Sequence, residues 1–173
     1  MEDIASGLIP EEEQLLINLL GKVTPKNMTA GVFNAVAKIF RLPAIELVCL
    51  RLGASARTEV LLSQRPADDP IFPGQWHTSG TIARLSDASP FDSLKRLAKK
   101  ELGITLDLSA LSFTGICYSN HNRGGEIHII YVYVFYGNAP DNHQFFPIDN
   151  LPQPFMEHHH AIIKLTMERF QKI

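Results

Sequence analysis

Apolar positions recur along this chain at two different periods, and the change of period divides it. Up to about Leu42 the spacing is helical. Pro10 opens EEEQLLINLL, whose early acids suit the positive end of a helix, and Gly21 closes it. Thr24 and Pro25 then start a second helix through GVFNAVAKIF, with Val32, Phe33, Val36, Ile39 and Phe40 on its apolar side. From Ile45 the pattern is that of strands. IELVCLRL and EVLLSQRP are apolar runs separated by GASART, which reads as a hairpin turn or loop. DDPIFPGQWHTSGT, rich in Pro and Gly, is a loop leading into a short strand.

Helical spacing returns once in the middle. Ser89 suits an N-cap, Pro90 the first helical position and Asp92 the acid of a capping box. Phe91, Leu94, Ala98 and Leu102 then recur on one side, and Gly103 suits the left-handed residue that ends a helix. LSFTGICYS follows as a strand and NHNRGG as a turn. EIHIIYVYVFYG is apolar in both alternating sets, Ile127, Ile129, Tyr131, Tyr133 and Phe135 against Ile130, Val132 and Val134. A strand apolar on both faces must be covered on both, so it is expected at the centre of a sheet flanked by helices. Pro154 is expected to start a last helix, FMEHHHAIIKLTMERF, packing through Phe155, Ile162, Ile163, Met167 and Phe170.

Composition adds bounds. At 173 residues, 45% hydrophobic and 20% charged, the chain is expected to form one globular domain with some extra length and a full core. A net charge of −2 gives no global attraction to nucleic acid or to a membrane surface. No stretch reaches the length of a membrane span, and the start MEDIASG lacks the basic, apolar pattern of a secretory signal. Cys49 and Cys117 lie in apolar strand-like runs without metal-ligand spacing, which fits buried free thiols in a reducing cytoplasm.

The stretch SGTIARLSDASPFDSLKRLAKKELGI resembles the Nudix box, whose pattern is Gly, five residues, Glu, seven residues, then Arg-Glu-apolar-x-Glu-Glu-x-Gly-apolar. Arg96, Ala98, Glu101, Gly103 and Ile104 match its end. Thr81 stands in the place of the first glycine and Asp87 in that of the first glutamate, with one extra residue between Asp87 and Arg96. Leu97 and Lys100 replace the two other helix glutamates. The resemblance extends over roughly residues 45 to 171. Arg65-Pro66 resembles the end of the strand before the box. Gly74, Trp76 and Gly80 resemble the family's Gly-x-Trp-x-x-Pro-Gly-Gly segment, and Phe146-Pro147-x-Asp149-x-Leu151-Pro152 its passage into the last helix.

The resemblance implies an α/β/α sandwich around a mixed central sheet, residues 43–173, preceded by an N-terminal helical extension, residues 1–42. That extension is expected to pack on the core or to take part in a homodimer. The family's chemistry is magnesium-dependent cleavage of a nucleoside diphosphate linked to another group. Carried over residue by residue, it makes Glu101 the catalytic and metal-binding acid, Asp87 a second metal ligand, Arg65, Trp76 and Lys100 substrate contacts, and Arg96 a brace that ion-pairs within the box. Magnesium wants near-octahedral oxygen coordination. Leu97 offers no oxygen, and Lys100 sets a positive charge beside the cation, a repulsion of up to about 4 kcal/mol at 4 Å and an effective dielectric of 20. Two functions therefore stand: a Nudix-like protein that binds a nucleotide-like ligand with impaired hydrolysis, or a non-catalytic module binding a ligand or a protein. Neither nucleic acid nor membrane is an expected partner.

A run of histidines and four residues that could flank a ligand draw notice. His158, His159 and His160 are consecutive on a helix and point about 100° apart, so the three are not expected to chelate one ion together. Glu157 beside them, and His121, Asp141 and His143 in loops, are expected to flank a ligand if one binds.

Overall fold

The structure is a computed structural model and describes residues 7–24, 26–54 and 56–170. Pro25, expected in the start of the second helix, and Ser55 in the first hairpin turn lie outside the described residues.

The chain folds as α1 (Pro10–Leu20), α2 (Ala30–Ile39), β1 (Leu42–Leu52), β2 (Thr58–Gln64), β3 (Trp76–His77), β4 (Ser79–Ile82), α3 (Pro90–Leu97), β5 (Ser112–His121), β6 (Gly124–Val134), β7 (His143–Pro147) and α4 (Glu157–Arg169). One mixed sheet of seven strands runs β3-β2-β1-β6-β5, with β4 added on β1 and β7 on β2. The β1–β6 pair is parallel, in register from Leu42↔Glu126 to Leu50↔Val134. The remaining pairings are antiparallel. Ser63 pairs with His143 across one edge of β2 and with His77 across the other. Residues 76–82 therefore form a wedge between β1 and β2 where those strands splay apart, and Thr78 sits fully buried at its joint.

Helices cover both faces, making the α/β/α sandwich. On one side α3 brings Leu94, Leu97, Ala98 and Leu102 onto Ile45, Leu47, Cys49, Leu61 and Tyr131. On the other α4 brings Ile162 and Ile163 onto Val48, Leu50, Val60, Leu62, Ile130 and Val132. The two sets alternate along each strand, as side chains of period two require. β6 lies between β1 and β5, the central place its doubly apolar sequence demands. α2 reaches the core through Ala37, while α1 buries no residue and leaves Leu15, Leu16, Ile17, Leu19 and Leu20 43–58% exposed. Cys49 and Cys117 are free, the first buried and the second half-buried.

Three element ends differ from the sequence reading. α2 begins at Ala30 behind Thr29, whose hydroxyl accepts from the Val32 amide, because Thr24 and Asn27 close a separate turn on each other. α4 begins at Glu157 rather than Pro154. The Pro154 carbonyl and the Met156 amide are bonded to the backbone of Trp76, and this strand-like exchange holds residues 154–156 extended. α3 passes into a π turn over Ala98–Leu102 before Gly103 ends it with φ 66°. Ser89 caps α3 with extended backbone, but its hydroxyl donates to the Asp92 carboxylate instead of receiving a backbone amide.

Val132 is fully buried on the central strand, against α4. Val132→Asp is expected to cost more than about 4 kcal/mol, because an unpaired carboxylate would enter the apolar packing of Val48, Leu50, Ile130 and Ile162. Urea unfolding followed by circular dichroism measures this, and a cooperatively melting variant of near-normal midpoint would contradict the burial.

Candidate functional site

The site grows from charged residues set into otherwise apolar strands. Glu46 on β1 and Glu126 and His128 on β6 lie on the sheet face that carries α4, at the N-terminal ends of the parallel pair. All three are buried, so each must find a partner. His128 Nδ1 lies 3.0 Å from Glu46 Oε1 and its Nε2 lies 2.7 Å from Ser119 Oγ. Arg123 Nη2 ion-pairs with Glu126 Oε1, and His121 Nε2 approaches Glu126 Oε2 to 3.3 Å. Gly80 faces Glu46 across the β1–β4 pairing, and a methyl group there would overlap the carboxylate. That close approach gives Gly80 a steric reason.

Burial favours the neutral forms here. It pushes the Glu46 carboxyl up from its ordinary range, against the pull of His128. Burial would raise Glu126 as well, but its contacts with His121 and Arg123 outweigh it and hold the group at about 2. His159, buried on the first turn of α4, takes the Thr78 amide on Nδ1 at 3.3 Å and meets the Thr78 hydroxyl at 2.7 Å. The amide can only donate, so the ring carries its proton on Nε2, and burial keeps its pKa well below the ordinary value. His77 Nδ1 faces the Thr78 carbonyl at 2.7 Å and so carries the proton, which leaves Nε2 to accept from Ser63 Oγ at 3.0 Å. Burial lowers His77 to about 4, overriding the carbonyl bond.

These groups border a cavity of about 220 Å³, whose walls include Arg65, Phe72, Arg123 and His158. A second cleft of about 290 Å³ is walled by Lys100, Glu101, Asp141 and His143. Arg65 and His77 line both, so the two spaces adjoin across them. Asp69 shapes the shared wall. Its carboxylate pairs with Arg65 and accepts the amides of Ile71 and Phe72, which sets the Phe72 ring 5.4 Å from His121 and 5.7 Å from His158.

Of the residues expected from sequence, Arg65, Lys100 and Glu101 share the second cleft, with Asp141 and His143. Burial raises the half-buried Glu101 carboxyl, opposed first by Lys100. Trp76 is elsewhere: its ring packs edge-on against Phe146 at 4.9 Å, and its backbone bonds residues 154–156. Asp87 is committed to a brace. It accepts from Arg96 Nη2 at 2.6 Å, Ser93 Oγ at 2.6 Å and the Arg84 amide at 3.0 Å, and Arg96 holds its carboxyl well below the usual range. Arg96 also bonds Thr81 Oγ1 and the Ile82 carbonyl.

Positions 97, 100 and 101 would share a face on a regular helix. In the structure their surroundings differ: Leu97 is 2% exposed in the core, Lys100 is exposed and Glu101 lies between. For magnesium this helix thus offers one carboxylate beside an ammonium, with Asp87 already bonded. The donor set does not fit an octahedral oxygen site.

Glu46, Glu126 and His128 were passed over in the sequence because each is a lone polar residue in an apolar run. The signal was present: all three fall on one parity of strands otherwise apolar on both faces.

No protein-family model matches the sequence, and no curated protein matches it. Among solved structures, the chain is similar to the NUDIX domain of Shewanella oneidensis NrtR complexed with ADP ribose, at 19% identity and TM-score 0.62, over 88% of this chain and 97% of that one. It is similar to the C-terminal domain of mouse MUTYH, seen in complex with human PCNA, at 16% identity and TM-score 0.61, over 78% and 95%. It is also similar to the Caenorhabditis elegans Ap4A hydrolase, at 14% identity and TM-score 0.55, over 75% and 98%. Identities this low speak to the fold, and the fold is that of the Nudix proteins.

The His77 environment yields a pH dependence. Its folded pKa of about 4 lies below the ordinary 6.5, so between those values the unfolded chain binds the proton first. Its contribution is complete above pH 6.5 and lost as pH falls toward 4, up to roughly 3 kcal/mol. Arg65, His143, Asp69 and the ring of His159 are the groups that face it. Urea midpoints between pH 7.5 and 4 should fall less steeply for His77→Gln than for the unmodified protein. Parallel profiles would contradict the assignment.

Proposed function

We propose that this Nudix-fold chain binds a nucleotide-like ligand carrying a diphosphate and does not hydrolyse it efficiently. The observation that carries this reading is the state of the α3 helix. Its scaffold is kept, with the Arg96–Asp87 brace and the Gly103 cap, while the positions for metal-binding acids hold a core leucine and an exposed lysine. The cleft beside it is also kept. Arg65 and Lys100 set two cations on its walls, and Arg123 and Phe72 continue the lining into the adjoining cavity. Guanidinium groups match phosphate oxygens in pairs, and Lys100 supplies positive charge where hydrolases of this fold place a cation. Aromatic Phe72 and the imidazoles around it suit a flat base or a ribose. The likeness to the NUDIX domain seen with ADP ribose supports the ligand class.

In this reading Arg65 and Lys100 hold phosphate oxygens, Glu101 faces a ribose hydroxyl or water, and Trp76 supports the wedge instead of touching the ligand. Lys100→Ala removes one charge from an exposed, unbraced position and leaves the core intact.

Calorimetric titration with ADP-ribose as the probe is expected to give binding without added metal, weakened about tenfold by Lys100→Ala and by Arg65→Ala, near 1.4 kcal/mol each. With magnesium present, release of nucleoside monophosphate should stay at the background of the no-protein control. Robust turnover would overturn the non-catalytic reading, and binding indifferent to both substitutions would overturn the cleft. Leu97→Glu should unfold the chain or cost more than about 3 kcal/mol, since it buries a carboxylate in the α3 core. Lys100→Glu should stay folded and lose ligand affinity.

A further inference from the structure

We propose that His121, Glu126 and His158 form a binding site for a divalent first-row transition ion of the zinc or cobalt class, on the α4 side of the sheet and separate from the α3 helix. One donor atom from each of the three residues lies within 4.8 Å of the others. They arrive from three elements: the last residue of β5, the start of β6 and the first turn of α4. Consecutive histidines of α4 point about 100° apart and do not chelate one ion together. This site takes only His158 from the helix and finds its partners on the sheet.

The donors are held in a state that suits an ion. Ligand atoms on one tetrahedral zinc stand about 3.3 Å apart, given metal–ligand lengths of about 2.0–2.1 Å. His121 Nε2 and Glu126 Oε2 are already 3.3 Å apart. Yet the contact is poorly aligned, and His121 Nε2 is a buried nitrogen without a hydrogen-bond partner. The side chain is only 7% exposed, so that nitrogen is shut off from solvent. Arg123 engages Glu126 through Oε1 and leaves Oε2 facing the histidines, the outer-shell support that orients a ligating carboxylate. Phe72 lies against both His121 and His158 and supplies an apolar wall.

His128 is not a member. Its Nε2 comes within 3.7 Å of Glu126, but both ring nitrogens are spent on Ser119 and Glu46. His158 makes no side-chain hydrogen bond among the described residues, is partly exposed, and borders the 220 Å³ cavity that leaves room for water or a ligand atom. The His121 and His158 rings are stacked, 4.8 Å apart and tilted by 29°. An ion in both ring planes therefore requires His158 to turn its edge inward, which costs ring packing on Phe72 and His121 but breaks no side-chain hydrogen bond among the described residues. His121 Nδ1 accepts the Arg123 amide at 3.3 Å, so loading moves the ring proton from Nε2 to Nδ1 and gives up that long contact.

Two imidazoles and one carboxylate favour zinc, cobalt or nickel over the hard cations magnesium and calcium. The site shares His121 and His158 with the wall offered to a nucleotide above, and a titration with metal alone, without nucleotide, separates the two. Metal-stripped full-length protein is titrated with Co²⁺, followed by its visible d–d absorption, and with Zn²⁺ in competition. A single ion per chain is expected, undisturbed by excess Mg²⁺. His121→Ala and His158→Gln should each weaken binding by at least about tenfold, while Glu101→Gln on α3 should leave it unchanged. Circular dichroism checks that the variants fold. On the unmodified protein, the ¹⁵N imidazole resonances of His121 and His158 should move on Zn²⁺ addition while those of His143 do not. Absence of binding up to millimolar metal would overturn the site. So would affinity indifferent to both histidine variants, or zinc-induced shifts confined to other rings.

Discussion

The parallel pairing of β1 with β6 is the constraint from which the rest of this molecule follows. Nine residue pairs, Leu42↔Glu126 to Leu50↔Val134, join two segments far apart in the chain, so the pairing forms only when a long connection has closed. A parallel pair needs cover on both faces, and α3 and α4 supply it. Strands that end together in parallel also bring their starting residues together. This is why Glu46, Glu126 and His128 meet at one end of an otherwise apolar face, beneath the first turn of α4. The buried polar group is therefore a product of the same pairing that builds the core.

The two sides of that sheet have diverged in chemical character. On the α3 side the polar contacts are mechanical. Arg96 still ties Asp87, Thr81 and the end of β4 to the helix. Leu97 packs in the core with Leu94 and Ala98, while Lys100 is exposed. On the α4 side the polar groups are dense and mostly buried, and His121 Nε2 and Arg123 Nε lack a hydrogen-bond partner among the described residues. The first side offers a half-buried carboxylate beside an ammonium, and the second gathers imidazole nitrogens.

The central strand, the Gly103 cap and the helix on each side were legible because each is written in local periodicity. β6 announced its position by having no polar face, and Ser89-Pro90 marked the start of α3 within a residue. The start of α4 was misread because Pro154 looks like an N1 residue, whereas its carbonyl is spent on the Trp76 amide 78 positions earlier. The π turn left no trace in AKKEL, since propensity does not distinguish one wide turn from a regular one. Glu46 and His128 bond across 82 residues of chain, and only the β1–β6 register says that they meet. Asp87 was legible as part of the box but not as a residue whose oxygens are all spoken for.

The first helix carries a consequence of a different kind. α1 has 11 residues and buries none of them. A helix that short, without tertiary burial, is marginal in water, because nucleation is costly and propagation gains little per residue. α1 therefore stands outside the cooperative unit formed by the sheet, α3 and α4. Its amides exchange with solvent through local opening and not through global unfolding, and removing residues 7–20 leaves the melting of the remainder where it was. The cooperative fold of this protein begins at α2, the first helix to place a side chain in the core.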